Sequence, residues 1–205
     1  MGGSVCRDDL QFILDGRKRE DILKHFFGDL SVEQARQISA IKDKYFAEGA
    51  HMVSLIPGVK EFLDLLTAAG LRVAVATSAS RARAFEMLTR FDLRHTVEFV
   101  VTGEDVERGK PDPAIFRLAA AGLGLHPETA IVFEDAVSGV TAARAAGMMA
   151  IGIAHGPRSE RLLDAGAAMV RPDFVGLQLL DICSIAAIGN TRALAGSGAQ
   201  HTAVS

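Results

Sequence analysis

The sequence predicts an α/β fold in which helices cover both faces of a parallel sheet. Between residues 59 and 153, short apolar runs rich in β-branched residues alternate with longer amphipathic segments. This alternation is typical of parallel strands joined by helices, because strands buried on both faces are apolar throughout. The chain has 205 residues, of which 49% are apolar and 23% charged, so one buried core of ordinary composition is expected.

The beginning of the chain shows helical periodicity and no strand pattern. Apolar residues cluster at helical spacing between Ile22 and Phe27, and Ser31 with Gln34 forms a capping-box pattern ahead of a second helix. Pro57-Gly58 then interrupts the chain, and the alternating pattern follows it. The predicted domains are a helical segment over 1–54, an α/β domain over 55–182, and a tail over 183–205 whose small and polar residues are typical of disorder.

In the α/β part, glycines and prolines separate the predicted elements. Gly70 and Gly147 end helices, while Asp112 and Pro113 start one. The predicted helices cover 59–69, 80–91, 112–122 and 138–146, and the predicted strands cover 71–76, 98–102, 130–133 and 149–153.

Composition argues against several classes of protein. The net charge of −3 and the mixed signs provide no basic face for nucleic acid. The longest apolar candidate, residues 174–188, is interrupted by Gln178 and Asp181 and is too short to cross a membrane. Cys6 and Cys183 give no disulfide framework, so a cytoplasmic protein is expected. The oligomeric state stays open.

Polar side chains follow two of the predicted strands. Thr77 and Ser78 come after the first strand, and Glu134 and Asp135 come after the third. Ligands of open parallel sheets bind at the carboxyl ends of strands, where hydroxyls and free N–H groups can donate to phosphate. Adjacent carboxylates repel unless a cation lies beside them, and they suit Mg²⁺. An alternative is that the hydroxyls cap a helix and the acids interact with its dipole.

Lys110 precedes a predicted helix in the segment Gly109-Lys110-Pro111-Asp112-Pro113. The two prolines stiffen the backbone, and a fixed ammonium group at a helix entry is a suitable counter-charge for phosphate. The alternative is a solvated surface lysine.

The segments VAVATSAS, ERGKPDP and IVFEDAVSG, taken together, resemble motifs of the haloacid dehalogenase-like (HAD) phosphotransferase superfamily. The likeness is to the β-phosphoglucomutase and phosphoglycolate-phosphatase-like members, and it covers roughly residues 10 to 180. It implies a HAD-like Rossmannoid parallel sheet, a partial helical cap over 1–54, and Mg²⁺-dependent phosphatase or phosphomutase activity on a small phosphorylated metabolite. Which substrate, and which of the two activities, stays open.

The resemblance also implies roles for particular residues. Thr77 would hold the transferring phosphoryl group, Lys110 would neutralise its charge, and Asp135 would coordinate Mg²⁺ with support from Glu134. In the stretch LDGRKREDIL, Arg19 would bind a second phosphate or carboxylate of the substrate, with Arg17 as the second choice. An exposed arginine at a helix start is the alternative for both.

The family's nucleophile motif, Asp-x-Asp, occurs nowhere in the 205 residues. Phe12-Ile13-Leu14-Asp15-Gly16 resembles it superficially, but Ile13 stands at the nucleophile position, and too few residues remain before Thr77 for a helical cap. The resemblance places the nucleophile strand between the strands that end at Thr77 and Asp135, so the first central strand is predicted to be missing. We expect a truncated, C-terminal part of a longer protein that is inactive alone.

Two other functions deserve comparison. A non-catalytic relative would bind a phosphate ligand, or pair its exposed sheet edge with a partner strand. The presence of all the implied phosphate and metal residues argues against it. A dinucleotide enzyme is not supported, because Gly122-Leu123-Gly124 ends a helix instead of following a strand.

Overall fold

The computed structural model describes Phe12, residues 15–182 and Ser184. The first two elements with described bounds are the helices α1 (Arg19–Phe27) and α2 (Val32–Gly49). The predicted capping box is present, since the Ser31 hydroxyl accepts a hydrogen bond from the backbone N–H of Gln34 at 3.3 Å. The Gln34 side chain in turn accepts from the Ser31 N–H at 2.9 Å.

The rest of the described chain alternates helices and parallel strands. In chain order these are α3 (Val59–Ala68), β1 (Ala74–Ala76), α4 (Arg81–Arg90), β2 (Phe99–Val101), α5 (Ala114–Gly122), β3 (Ile131–Glu134), α6 (Val137–Ala145), β4 (Met149–Ile153), α7 (Pro157–Asp164) and β5 (Met169–Arg171). Every observed strand pairing is parallel. The α/β fold class predicted from the sequence is therefore confirmed.

The strands form two separate sheets. β1 pairs with β2, and β4 lies between β3 and β5. Among the described residues no strand lies between β1 and β3, so each of these strands has one edge without a strand partner. This is the position at which the resemblance predicts the missing central strand.

Some elements differ from the sequence predictions. α7 and β5 were not predicted, because α7 buries only Leu162 and β5 is too short to show an alternation. β1 is shorter than predicted, and Leu71 is exposed. α5 starts at Ala114, after Pro113, although the Asp112 carboxylate accepts from the Ala114 N–H at 2.9 Å.

Among the described residues, the buried core lies in the α/β part. One cluster surrounds β4 and includes Val140 and Leu162. A second centres on the rings of Phe62, Phe133 and Phe174, whose centroids lie 5.2 to 5.4 Å apart. Within the described part of the chain, no helix has the length and apolar character needed to span a bilayer. Of the predicted tail, only Ser184 is described.

Candidate functional site

Lys110 lies at the carboxyl edge of both sheets and connects them. Its ammonium group donates to a Glu134 carboxylate oxygen at 2.7 Å and to the carbonyl oxygen of Ala76 at 3.3 Å. Ala76 ends β1 and Glu134 ends β3, so one side chain bonds to both inner strands. The Lys110 side chain is only 6% exposed, which rules out the interpretation as a solvated surface lysine.

Glu134 is buried against Lys110 and the start of α6. Its second carboxylate oxygen accepts from the N–H groups of Asp135 and Ala136, at 3.3 and 3.2 Å. Gly139 makes this arrangement possible, because a Cβ at that position would overlap the Glu134 side chain. Burial raises the pKa of the Glu134 carboxyl above its ordinary value, and the ammonium of Lys110 opposes that shift. Glu134 thus fixes the orientation of Lys110.

Asp135 follows β3 directly, and its side chain is exposed. No hydrogen bond or ion pair to its carboxylate is formed by the residues that the structure describes. A cavity of about 650 Å³ opens beside it, bordered by residues 54–57, His155 and Arg158. A carboxylate with free oxygens at a cavity wall can accept a metal ion.

Mg²⁺ is compatible with this carboxylate pair. Asp135 offers unpaired oxygens, whereas both Glu134 oxygens already accept hydrogen bonds. The described residues contain no group of three or more His, Cys, Asp or Glu that could hold a metal. Mg²⁺ usually binds through one or two carboxylates together with water and substrate phosphate, so the single free carboxylate of Asp135 is compatible with it.

Thr77 and Ser78 lie directly after β1, and neither caps the next helix. That role belongs to Ser80, whose hydroxyl accepts from the Arg83 N–H at 3.4 Å. The Thr77 hydroxyl accepts from the Ala79 N–H at 3.2 Å, and Ser78 donates to the carbonyl oxygen of Gly16 at 2.7 Å. The capping alternative is therefore wrong for both residues, and the Ser78 proton points away from its own loop.

The loop after β2 supports Ser78, which the sequence did not reveal. A Cβ on Gly103 would lie 2.8 Å from the Ser78 carbonyl oxygen, so only glycine permits this approach. The loop is fixed by Asp105, which accepts from the Thr102 hydroxyl at 2.7 Å and from the Thr102 N–H at 2.8 Å. The spacing of Thr102 and Asp105, which is typical of a capping box, is the sequence signal that could have indicated this loop.

Arg19 does not join this cluster. It makes a two-pronged ion pair with Asp43 of α2, at 2.6 and 3.2 Å, and Asp43 also accepts from Arg83 of α4 at 2.9 Å. Arg17 lies 4.4 Å from the centre of the Phe12 ring and pairs with Asp15 at 3.7 Å. A substrate-binding role stays a prediction for both arginines, and for Arg19 it requires release from Asp43.

Comparisons with known proteins identify the family. The chain matches the family model of haloacid dehalogenase-like hydrolases over residues 3–153 and belongs to that family. It is 34% identical over 170 residues to the phosphorylated carbohydrates phosphatase of Thermotoga maritima, covering 82% of this chain and 74% of that protein. It is 32% identical over 157 residues to the β-phosphoglucomutase of Mycobacterium tuberculosis, covering 67% of this chain and 59% of that protein.

A solved structure supports the same fold. The β-phosphoglucomutase of Clostridium difficile superposes with a TM-score of 0.79 over 93% of this chain and 86% of that one, at 19% identity. A putative β-phosphoglucomutase of Thermotoga maritima is 29% identical and superposes with a TM-score of 0.60 over 91% of this chain and 83% of that one, which supports the β-phosphoglucomutase-like branch of the family.

Proposed function

We propose that the chain carries the phosphate- and metal-binding half of a Mg²⁺-dependent phosphatase or phosphomutase of a small phosphorylated metabolite. The observation that supports this most strongly is the buried Lys110, which bonds to both inner strands at the sheet edge where Ser78 and Asp135 also lie. The relatives named for phosphorylated carbohydrates and phosphoglucomutase support a phosphorylated sugar as substrate. A cytoplasmic location agrees with the absence of a disulfide framework.

Each residue has a distinct role in this proposal. The hydroxyls of Thr77 and Ser78 donate hydrogen bonds to phosphate oxygens. Lys110 supplies the positive charge that a transferring phosphoryl group requires, and Glu134 holds its ammonium group in place. Asp135 would hold Mg²⁺, which would neutralise charge on the phosphate when bound.

The nucleophile would come from outside these elements. No Asp-x-Asp pair occurs in the sequence, and in the described residues β1 and β3 leave a strand position between them. In the complete enzyme we place there a strand carrying an aspartate, whose carboxylate oxygen attacks phosphorus while the leaving oxygen takes a proton from the second aspartate. An aspartyl phosphate results, and a water or a sugar hydroxyl then accepts the phosphoryl group.

Two fusions of the 205-residue chain test this proposal. One carries an N-terminal apolar strand followed by Asp-x-Asp-Gly, and its control has Asn in place of the first Asp. We expect Mg²⁺-dependent release of phosphate from sugar phosphates by the first fusion only. Equal release by both fusions, or Mg²⁺-dependent release by the unmodified chain, would contradict the proposal.

A non-catalytic phosphate-binding role is the second candidate. The observation favouring it is that the sequence contains no Asp-x-Asp pair. Phosphate binding by the unmodified chain, combined with no turnover by either fusion, would support this role over the first.

A further inference from the structure

A phenylalanine ring lies next to the ammonium group of Lys110. The Nζ atom of Lys110 is 4.8 Å from the centre of the Phe116 ring, which is within the range of a cation–π interaction. Phe116 is 4% exposed and the Lys110 side chain 6%, so little water reaches the contact. Because a cation–π interaction is stronger when the cation is desolvated, this contact can restrain the ammonium group.

The position of Phe116 does not depend on Lys110. Phe116 lies in the first turn of α5, where its N–H donates to the carbonyl oxygen of Pro113 at 3.1 Å. Its side chain belongs to the core cluster around β4, and Ala76 of β1 packs against the same cluster. The core therefore fixes the ring, and through the ring Lys110 is restrained by a third element besides β1 and β3.

The contact with the ring leaves one hydrogen-bond donor of Lys110 free. An ammonium group has three N–H donors. One bonds to the Glu134 carboxylate at 2.7 Å, and one bonds to the carbonyl oxygen of Ala76 at 3.3 Å. A cation–π attraction acts on the charge and does not require a hydrogen bond. One N–H of Lys110 thus stays available for a phosphate oxygen, although three elements hold the group.

An aromatic ring suits this position better than a second carboxylate. Glu134 already supplies one carboxylate to Lys110, and another would repel a phosphate oxygen that approaches the same ammonium group. The ring of Phe116 attracts the cation through its quadrupole and carries no net charge. It can therefore hold Lys110 without opposing the binding of an anion.

We propose that Phe116 is a positioning residue, whose ring face holds the ammonium group of Lys110 in the orientation that binds phosphate, a role that rests on the proposed phosphate site. Phe116 acts through Lys110 alone and contacts neither phosphate nor metal. The affinity for phosphate should therefore depend on the electron density of the Phe116 ring. The effect of that electron density on stability should in turn depend on Lys110.

Fluorinated phenylalanines test this role, because each fluorine withdraws electrons from the ring face and changes the size of the ring little. In the 205-residue chain, Phe116 is replaced in turn by mono-, di- and trifluorinated phenylalanine. The same series at Phe62 is the matched control. Phe62 is 3% exposed and packs against the rings of Phe133 and Phe174, and within the described residues no cation lies over its ring.

The first readout is the dissociation constant of inorganic phosphate, measured by calorimetry in the presence of Mg²⁺. Since each fluorine removes part of the cation–π attraction, we expect the dissociation constant to rise stepwise along the Phe116 series, by roughly three- to tenfold for the trifluorinated ring. The Phe62 series should bind phosphate like the wild type.

The second readout is the equilibrium constant of unfolding, measured by urea titration in two backgrounds. One is the wild type, and the other carries Lys110→Met with Glu134→Gln, so that the Phe116 ring has no cation to attract. Trifluorination of Phe116 should raise the unfolding constant roughly three- to tenfold in the first background and less than about twofold in the second.

The outcomes separate the role of Phe116 from the site itself. A phosphate affinity that follows fluorination of Phe116 and not of Phe62 supports the positioning role. An unchanged affinity throughout the Phe116 series overturns that role and leaves the proposed function standing. Equal effects on unfolding in both backgrounds also overturn it, because the ring then acts through packing alone. No phosphate binding by the folded wild-type chain overturns the proposed phosphate site, and the role of Phe116 with it.

Discussion

The helical part and the α/β part of this protein are stabilised in different ways. α1 and α2 contain no buried residue, and every buried side chain of the described residues lies between Phe62 and Ile182. The α/β part is held by hydrophobic burial, whereas the helical part contacts it through polar groups such as the Asp43–Arg83 ion pair and the hydrogen bond from Ser78 to Gly16. Since exposed ion pairs contribute little, we expect the helical part to add much less to the free energy of unfolding than the α/β core.

The buried ion pair should give the largest effect. Lys110→Met leaves the Glu134 carboxylate buried without its partner, and we expect a loss of about 3–5 kcal/mol in the free energy of unfolding at neutral pH. Adding Glu134→Gln should recover much of that loss. Urea titrations followed by circular dichroism measure both.

The stability loss in Lys110→Met should depend on pH in a defined direction. Because the folded-state pKa of Glu134 is raised, its protonated form favours folding below the ordinary glutamate pKa of about 4.3, and this contribution is lost as pH rises through the folded value. The loss in Lys110→Met should therefore shrink as pH falls. A stability loss that is independent of pH would contradict a buried Glu134 carboxyl with a raised pKa.

A pair of apolar truncations tests the contrast directly. Leu162 is fully buried, whereas Ile41 of α2 is 56% exposed. Leu162→Ala should lower the free energy of unfolding by about 2–5 kcal/mol, and Ile41→Ala by no more than about 0.5 kcal/mol. Equal losses would show that α2 buries a face in solution, and the comparison between the two parts would fail.

Asp135→Asn separates metal binding from folding. The exposed carboxylate has no side-chain partner in the described part of the chain, so without metal the stability should change by less than about 0.5 kcal/mol. Mg²⁺ affinity, measured by calorimetry in the presence of phosphate, should fall roughly tenfold or more. Unchanged affinity would exclude Asp135 as the ligand.

Asp43→Asn should have a small effect on stability that depends on pH and salt. The hydrogen bond from Arg19 holds the pKa of Asp43 below its ordinary value, so the ion pair stabilises the fold above about pH 4 and is lost as pH falls through the lower folded value. Because Asp43 is 48% exposed, we expect at most about 1 kcal/mol at low salt. The difference from wild type should vanish in acid or high salt, and a difference that persists in both would contradict an exposed ion pair.

Features of the fold that depend on local sequence pattern could be predicted. The parallel strands and the residues at their carboxyl ends follow from alternation and chain order, so Thr77, Glu134 and Asp135 could be assigned to one edge before their contacts were known. Lys110 was added to them only by the family resemblance. The burial of Lys110 could not be predicted from the sequence, because it depends on which strands meet around the side chain.

Contacts between distant segments could not be predicted. The pairing of Arg19 with Asp43 depends on how α1 and α2 are arranged, and the backbone of Asp15 and Gly16 accepts hydrogen bonds from two serines far along the chain. No periodicity encodes such contacts. α7 was missed for a different reason, since a single buried leucine leaves no repeating apolar pattern.

The most direct test of the site is calorimetric titration of the 205-residue chain with inorganic phosphate, with and without Mg²⁺. The account predicts phosphate binding that Mg²⁺ strengthens and that Ser78→Ala and Asp135→Asn each weaken, without phosphate release from sugar phosphates. A folded chain that binds no phosphate under either condition would contradict the proposed site.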